Sequence, residues 1–117
     1  MYTISKQFTF SASHQLVHLP ETHPCSRLHG HNYTIELVLR AEELDERDFV
    51  VDYNELSAFG DLLASKFDHH HLNEVLSSTT TAENIAKYLY SRASDRWPNV
   101  SAVKVSETAK TWAIYER

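Results

Sequence analysis

Histidine is the residue type most able to do chemistry in this sequence of 117 residues, which contains eight of them. Five lie between His14 and His31, and the other three are consecutive at 69–71. A neutral imidazole is a common ligand of zinc and a general acid or base near neutral pH. The clustering directs the search for function to these two segments.

The segment His29-Gly30-His31 opens a predicted strand. Residues i and i+2 of a strand point to the same side, so the two imidazoles face one way. His14 ends the preceding predicted strand, and pairing of the two strands would bring a third imidazole to the same place. Three histidines with one open position form a catalytic zinc arrangement. We therefore expect Zn²⁺ as the cofactor, held by His14, His29 and His31, against the alternative of exposed polar residues on a strand.

Cys25 is the only cysteine, and two interpretations of it stay open. It lies in a polar, proline-containing loop beside the candidate ligands, where a nearby cation would favour the reactive thiolate. The alternative is a closed structural zinc site with Cys25 as the fourth ligand. We consider the closed site less favoured, because a domain of this size has no evident need of a metal to fold.

The second histidine cluster begins with a carboxylate, in the run Asp68-His69-His70-His71. A carboxylate next to a histidine can orient the ring and raise its basicity. The alternative is a solvated polar loop after a helix, and the spacing alone does not say which of the three histidines would act.

The elements that position these residues are two hairpins and two helices. Alternating or β-rich segments predict strands, and capping-box pairs followed by apolar stripes predict helices. The predicted strands cover 2–12, 32–41, 100–107 and 111–116, and the predicted helices cover 52–67 (cap pair Asp52/Glu55) and 80–97 (cap pair Thr80/Glu83). The order β-β-α-α-β-β predicts an α+β fold in a single domain, 1–117, with a four-stranded antiparallel sheet and two helices on one face.

Composition argues against several classes of protein. The formal net charge is −5 and no basic run occurs, which disfavours nucleic-acid binding. No window approaches the length of apolar sequence that spans a membrane, the N-terminus lacks a secretory pattern, and a lone cysteine gives no sign of an oxidising compartment. We expect a cytoplasmic protein.

Six short motifs occur in an order that resembles the 6-pyruvoyl-tetrahydropterin synthase family, and within it the bacterial 6-carboxy-tetrahydropterin synthases. The resemblance runs from residue 8 to residue 116. The motifs are Phe8–His14, Cys25–Tyr33, Val51–Tyr53, Phe67–Asn73, Thr81–Asn84 and Val105–Thr108.

The resemblance implies a role for each candidate residue. The implied zinc ligands are His14, His29 and His31; the implied catalytic residues are Cys25, Asp68 and His69; and the implied pterin-binding residues are Glu107, Thr81 and Glu83. It also implies the tunnelling fold, assembled into homo-oligomers (trimers, usually stacked as hexamers) with active sites between subunits.

The implied substrate is 7,8-dihydroneopterin triphosphate. Three residues separate Cys25 from His29, which resembles the enzymes that form 6-carboxytetrahydropterin, acetaldehyde and triphosphate on the route to queuosine and other 7-deazapurines. The alternatives are a pyruvoyl-forming synthase or another pterin side-chain lyase and, in a different class, a non-catalytic zinc- or pterin-binding protein.

Overall fold

The computed structural model describes all residues 1–117, and its strands form one four-stranded antiparallel sheet. The strands are β1 (Tyr2–His14), β2 (His29–Ala41), β3 (Val100–Ser106) and β4 (Ala113–Glu116), in that order across the sheet. Two helices, α1 (Ser57–Lys66) and α2 (Ala82–Arg96), come between β2 and β3 in the chain. This order confirms the predicted α+β class and the four-stranded sheet of the tunnelling fold.

One face of the sheet carries the core, because side chains alternate between the two faces along each strand. Even-numbered residues of β1 and odd-numbered residues of β2 point toward the helices. Phe10 and Tyr33 lie opposite each other in the register and stack with ring centroids 4.9 Å apart. Ile35 and Leu37 continue the same face and are fully buried.

The ladder between β1 and β2 extends beyond the alternating segments 2–12 and 32–41, as far as the predicted strand end at His14 and the predicted strand start at His29. It runs without interruption from Tyr2 opposite Ala41 to His14 opposite His29. The alternating segments stop short of this because apolar alternation marks only the part of a ladder that borders the core. The extension matters for function, because it places the histidines inside a regular pair of strands.

The first helical segment begins with a 3₁₀ turn, Tyr53–Leu56, before α1 itself. Asp52 does accept the N–H of Asn54 at 2.9 Å, as a capping residue should. Glu55 makes no return bond to Asp52, and its carboxylate lies 3.7 Å from Arg47 instead. The predicted capping box is therefore only half formed.

The second helix begins one residue later than predicted. Thr81, not Thr80, is the N-terminal cap of α2, and its hydroxyl accepts the N–H of Asn84 at 3.2 Å. Thr80 is fully buried. The helix ends at Arg96, directly before Trp97-Pro98, as the sequence predicts.

Helix α1 packs closely on β1 at Gly60. A Cβ atom at this position would lie 3.3 Å from the ring of Phe8, so the glycine permits the close approach.

No helix has the length and apolar character required to cross a membrane.

Candidate metal centre and the adjoining cavity

The three candidate metal ligands lie together where β1 ends and β2 begins. His14 is the last residue of β1 and faces His29, the first residue of β2. His31 follows on the same side of β2, and the three ring centroids are 4.5, 4.9 and 5.1 Å apart. One ring nitrogen from each of the three histidines lies within 4.8 Å of those from the other two. The cluster continues the buried face of the sheet as a polar patch.

Backbone carbonyls fix the orientation of two of the rings. The Nδ1 atoms of His14 and His29 lie 2.7 Å from the carbonyl oxygens of Thr80 and Arg27, respectively. A carbonyl only accepts, so each Nδ1 carries the hydrogen and each Nε2 presents a lone pair. The two Nε2 atoms are 2.9 Å apart. Two lone pairs repel at this distance, whereas a cation between the rings would bind both.

This donor set fits zinc. Tetrahedral zinc with Zn–N bonds of about 2.0–2.1 Å holds two ligand nitrogens roughly 3.3 Å apart, near the spacing of His14 and His29. His31 adds an Nε2 atom that is buried and has no hydrogen-bond partner. Cys25 is not part of the cluster, so the closed arrangement with four protein ligands is not formed.

The electrostatics favour neutral rings at His14 and His31. Burial lowers the pKa of His14 and of His31, which keeps the lone pairs of both rings available for a cation. The carboxylate of Glu107 acts in the opposite direction on both pKa values. Its Oε2 atom lies 3.7 Å from Nε2 of His31, so a negative charge borders the site.

Cys25 lies on the short 3₁₀ turn Pro24–Ser26, in the loop between β1 and β2. The ring of His23 caps this turn, accepting the N–H of Cys25 at 3.0 Å. The Cys25 carbonyl accepts the N–H of Leu16 at 3.0 Å. This bond ties the turn to the chain two residues beyond His14, and the cysteine is half-buried there.

The free edge of β1 is covered by the edge segment, residues 68–73. An Oδ1 atom of Asp68 accepts the N–H of Ser11 at 2.9 Å, and the N–H of His69 donates to the carbonyl of Ser11 at 2.6 Å. Two residues further along β1, the N–H of Ser13 donates to the carbonyl of His70 at 3.1 Å. The segment thus pairs with backbone groups of β1 that would otherwise be unpaired at a sheet edge.

Asp68 and His69 form a close pair, with Oδ2 and Nδ1 3.0 Å apart. The hydrogen bond from Ser11 and then that from His69 hold the pKa of Asp68 below its usual value. The side chain of His69 is 82% exposed, and its backbone lies in the left-handed region at φ 58°. No hydrogen bond joins this pair to Cys25 within the chain, so the pair is presented outward from the edge of β1.

His70 and His71 differ from His69 in what their rings bond. The Nδ1 atom of His70 lies 2.8 Å from the carbonyl of Asp68, and that of His71 lies 3.0 Å from the hydroxyl of Ser13. Only His69 pairs with the carboxylate, which agrees with the register of the motif.

The three residues expected to bind pterin line a single cavity of about 500 Å³. Glu107 follows β3, while Thr81 and Glu83 lie at the first turn of α2. Trp112 contributes an aromatic wall. The cavity adjoins the metal cluster, because Glu107 also lies beside His31.

Sequence reasoning assigned Thr80, Tyr33 and Asn73 no role in the site, although all three border it. Alternation along β2 places Tyr33 on the same face as His31, so the sequence pattern could have indicated that Tyr33 borders the site. Thr80 contacts His14 across 66 residues, and Asn73 contacts Gln15 across 58, so no local pattern marks either one.

Comparisons with known proteins agree on one family. The family described as 6-pyruvoyl tetrahydropterin synthase matches residues 3–117. The chain is similar to the 6-carboxy-5,6,7,8-tetrahydropterin synthases of Synechocystis (33% identity, 98% of this chain and 93% of the relative) and Bacillus subtilis (28%, 97% and 84%). The structure of Caenorhabditis elegans 6-pyruvoyl tetrahydropterin synthase superposes with a TM-score of 0.87 at 25% identity, over 99% of this chain and 95% of that one.

Proposed function

The chain belongs to the 6-pyruvoyl tetrahydropterin synthase family, and on that premise we propose that it is a zinc-dependent 6-carboxy-5,6,7,8-tetrahydropterin synthase. The substrate is 7,8-dihydroneopterin triphosphate, which reacts with water to give 6-carboxytetrahydropterin, acetaldehyde and triphosphate. Two observations favour the carboxy product: the relatives that bear this name, and the three-residue spacer between Cys25 and His29. We expect the product to enter 7-deazapurine synthesis, including that of queuosine, in the cytoplasm.

The observation that carries the proposal is the pair of facing Nε2 atoms on His14 and His29, 2.9 Å apart and next to the buried Nε2 of His31. These three imidazoles would hold Zn²⁺ and leave a position open to substrate. The ion, when bound, supplies Lewis-acid polarisation of substrate oxygens.

Cys25, as thiolate, acts as the general base. Its turn is tied to the chain beside His14, which supports a position at the reacting side chain of the pterin. The Asp68–His69 pair relays protons, with the carboxylate orienting the ring at 3.0 Å.

Glu107 anchors the pterin ring through a charge-assisted contact with its N–H groups. The cavity that Glu107 shares with Thr81 and Glu83 supports this role, since it opens beside the metal ligands. A pterin bound there would have its reactive side chain directed toward the histidines.

We propose that the chain assembles as a homo-oligomer, a trimer or a hexamer, with active sites between subunits. The outer edge of β4, and the outer edge of β1 from Tyr2 to Phe10, have no partner strand, and Tyr2 and Ile114 are exposed there. The outward-facing His69 is suited to act on substrate bound beside the Cys25 of a neighbouring copy.

Product analysis tests the proposal. We expect the zinc-loaded protein to release acetaldehyde from dihydroneopterin triphosphate, detected with alcohol dehydrogenase and NADH. Cys25→Ala should lower kcat by about 10²–10⁴-fold, the usual contribution of a general base, and should retain zinc. Ser26→Ala is the matched control, because the hydroxyl of Ser26 bonds only to backbone carbonyls of the same loop.

Three results would contradict the proposal in different ways. Pyruvoyl-tetrahydropterin as the product would identify the other branch of the family. Binding of zinc and pterin without turnover would identify a non-catalytic binding protein. Unchanged turnover by Cys25→Ala would exclude the cysteine as the base.

A further inference from the structure

We infer that Asn73 is a positioning residue of the metal site and acts through His14. Asn73 lies in the 3₁₀ turn Leu72–Glu74, at the end of the edge segment. The inference rests on the proposed zinc site, because its consequence is a change in metal affinity.

The first contact of Asn73 is with the backbone next to a metal ligand. Its Oδ1 atom accepts the N–H of Gln15 at 2.9 Å, and its Nδ2 atom donates to the carbonyl of Gln15 at 2.7 Å. One side-chain amide therefore makes both hydrogen bonds that a neighbouring strand would make. Gln15 directly follows His14, the last residue of β1. This contact therefore fixes the backbone immediately after the metal ligand.

The second contact reaches the other side of the ligand. The hydroxyl of Thr80 donates to the same Oδ1 atom of Asn73 at 3.3 Å. Thr80 is fully buried, and its carbonyl accepts the Nδ1 hydrogen of His14 at 2.7 Å. Asn73 thus joins the segment that carries the His14 ring to the segment that sets its tautomer and rotation.

The amide has a single favourable orientation. A rotated amide would direct its NH₂ group at the N–H of Gln15 and its oxygen at the carbonyl, leaving four polar groups opposed. The position of Asn73 is therefore defined by Gln15, and that of Thr80 is defined in turn by Asn73. Loss of this link would leave the Nε2 atom of His14 less well directed at the cation. Substitution of such outer-shell partners typically lowers metal affinity by about 10–100-fold.

The experiment measures zinc affinity by chelator competition in wild type, Asn73→Ala and Asn73→Asp, together with the visible spectrum of the Co²⁺-substituted proteins. We expect Asn73→Ala to weaken zinc binding by about 10–100-fold and to alter the cobalt spectrum. Asn73→Asp keeps the acceptor for the Gln15 N–H but places a second oxygen against the Gln15 carbonyl, so it too should weaken zinc binding. Thr80→Val alone should weaken zinc binding. In the Asn73→Ala background the same substitution should have a smaller effect on zinc affinity, because the two residues act through one link.

Asp45→Ala is the matched control for a purely structural effect. It removes two side-chain bonds to backbone N–H groups, those of Arg47 and Phe49, in the loop beyond the far end of β2. We expect this variant to change the melting temperature and to leave zinc affinity unchanged.

The inference fails if Asn73→Ala lowers the melting temperature but keeps wild-type zinc affinity and cobalt spectrum. It also fails if the wild-type chain binds no zinc. A wild-type chain that binds zinc but does not convert the pterin refutes the proposed activity alone, and the affinities of the variants still decide the role of Asn73.

Discussion

Tyr33 carries a buried hydroxyl with no hydrogen-bond partner, and we expect Tyr33→Phe to stabilise the metal-free protein. Burial, and secondarily the charge of Glu107, raises the pKa of Tyr33 far above its usual value, so the group remains a protonated donor at working pH. The ring stacks on Phe10 at 4.9 Å, and phenylalanine would preserve that contact. The substitution therefore removes an unsatisfied polar atom and little else.

The size of the gain follows from the cost of an unmade hydrogen bond. Leaving a buried polar group unpaired costs about 1–3 kcal/mol, and we take the lower end, about 1 kcal/mol. Unfolding entropy of about 2.1 cal/mol/K per residue gives roughly 250 cal/mol/K for this chain of 117 residues. The expected rise in melting temperature is then about 4 °C.

Differential scanning calorimetry at matched protein concentration measures this change, with the metal removed by a chelator. Tyr90→Phe is the control, because the buried hydroxyl of Tyr90 donates to the carbonyl of Val100 at 3.4 Å. That variant should melt at a lower temperature than wild type. If Tyr33→Phe also melts lower, the hydroxyl has a bonded partner and the reasoning is refuted. A variant that is more stable but turns over more slowly would show that the hydroxyl serves the reaction at the expense of stability.

Two further substitutions test the edge segment and the cavity. The pKa of Asp68 is lower in the folded chain than its reference value of 3.8, so its stabilising effect is present above pH 3.8 and is lost as pH falls below it. Asp68→Asn should therefore show a smaller loss of melting temperature between pH 5 and pH 2.5, and an unchanged pH profile would contradict this assignment. Glu107→Gln should raise KM for the pterin by about 10–100-fold, the value of a charged hydrogen bond, with zinc stoichiometry unchanged; loss of zinc would instead assign Glu107 to the metal.

The sequence predicted the parts of the fold that depend on neighbouring residues. Alternation in β1 and β2 identified the buried face, and the apolar stripe identified α1. It misplaced element ends, such as the cap of α2 at Thr80, because adjacent threonines offer equivalent local caps. Thr80 is instead fully buried and its carbonyl bonds to the ring of His14, so Thr81 becomes the cap.

The candidate site divides in the same way. Strand periodicity alone placed His29 and His31 on one side, and the order of motifs selected His69 over its two neighbours. Nothing local indicated that Asp68 would bond Ser11, 57 residues away, or that this contact would direct His69 outward.

What the sequence by itself determined is the identity of the chemical groups and the face on which each strand presents them, since these follow from residue type and a period of two. What only the tertiary structure decided is the state of those groups. The tautomers of His14 and His29, the 2.9 Å between their Nε2 atoms and the clamp of Asn73 on Gln15 each depend on atoms from distant segments. A ring nitrogen presents its lone pair to a metal when the proton of the ring stays on the other nitrogen, held there by a hydrogen bond to a fixed acceptor, and such acceptors are positioned by the fold.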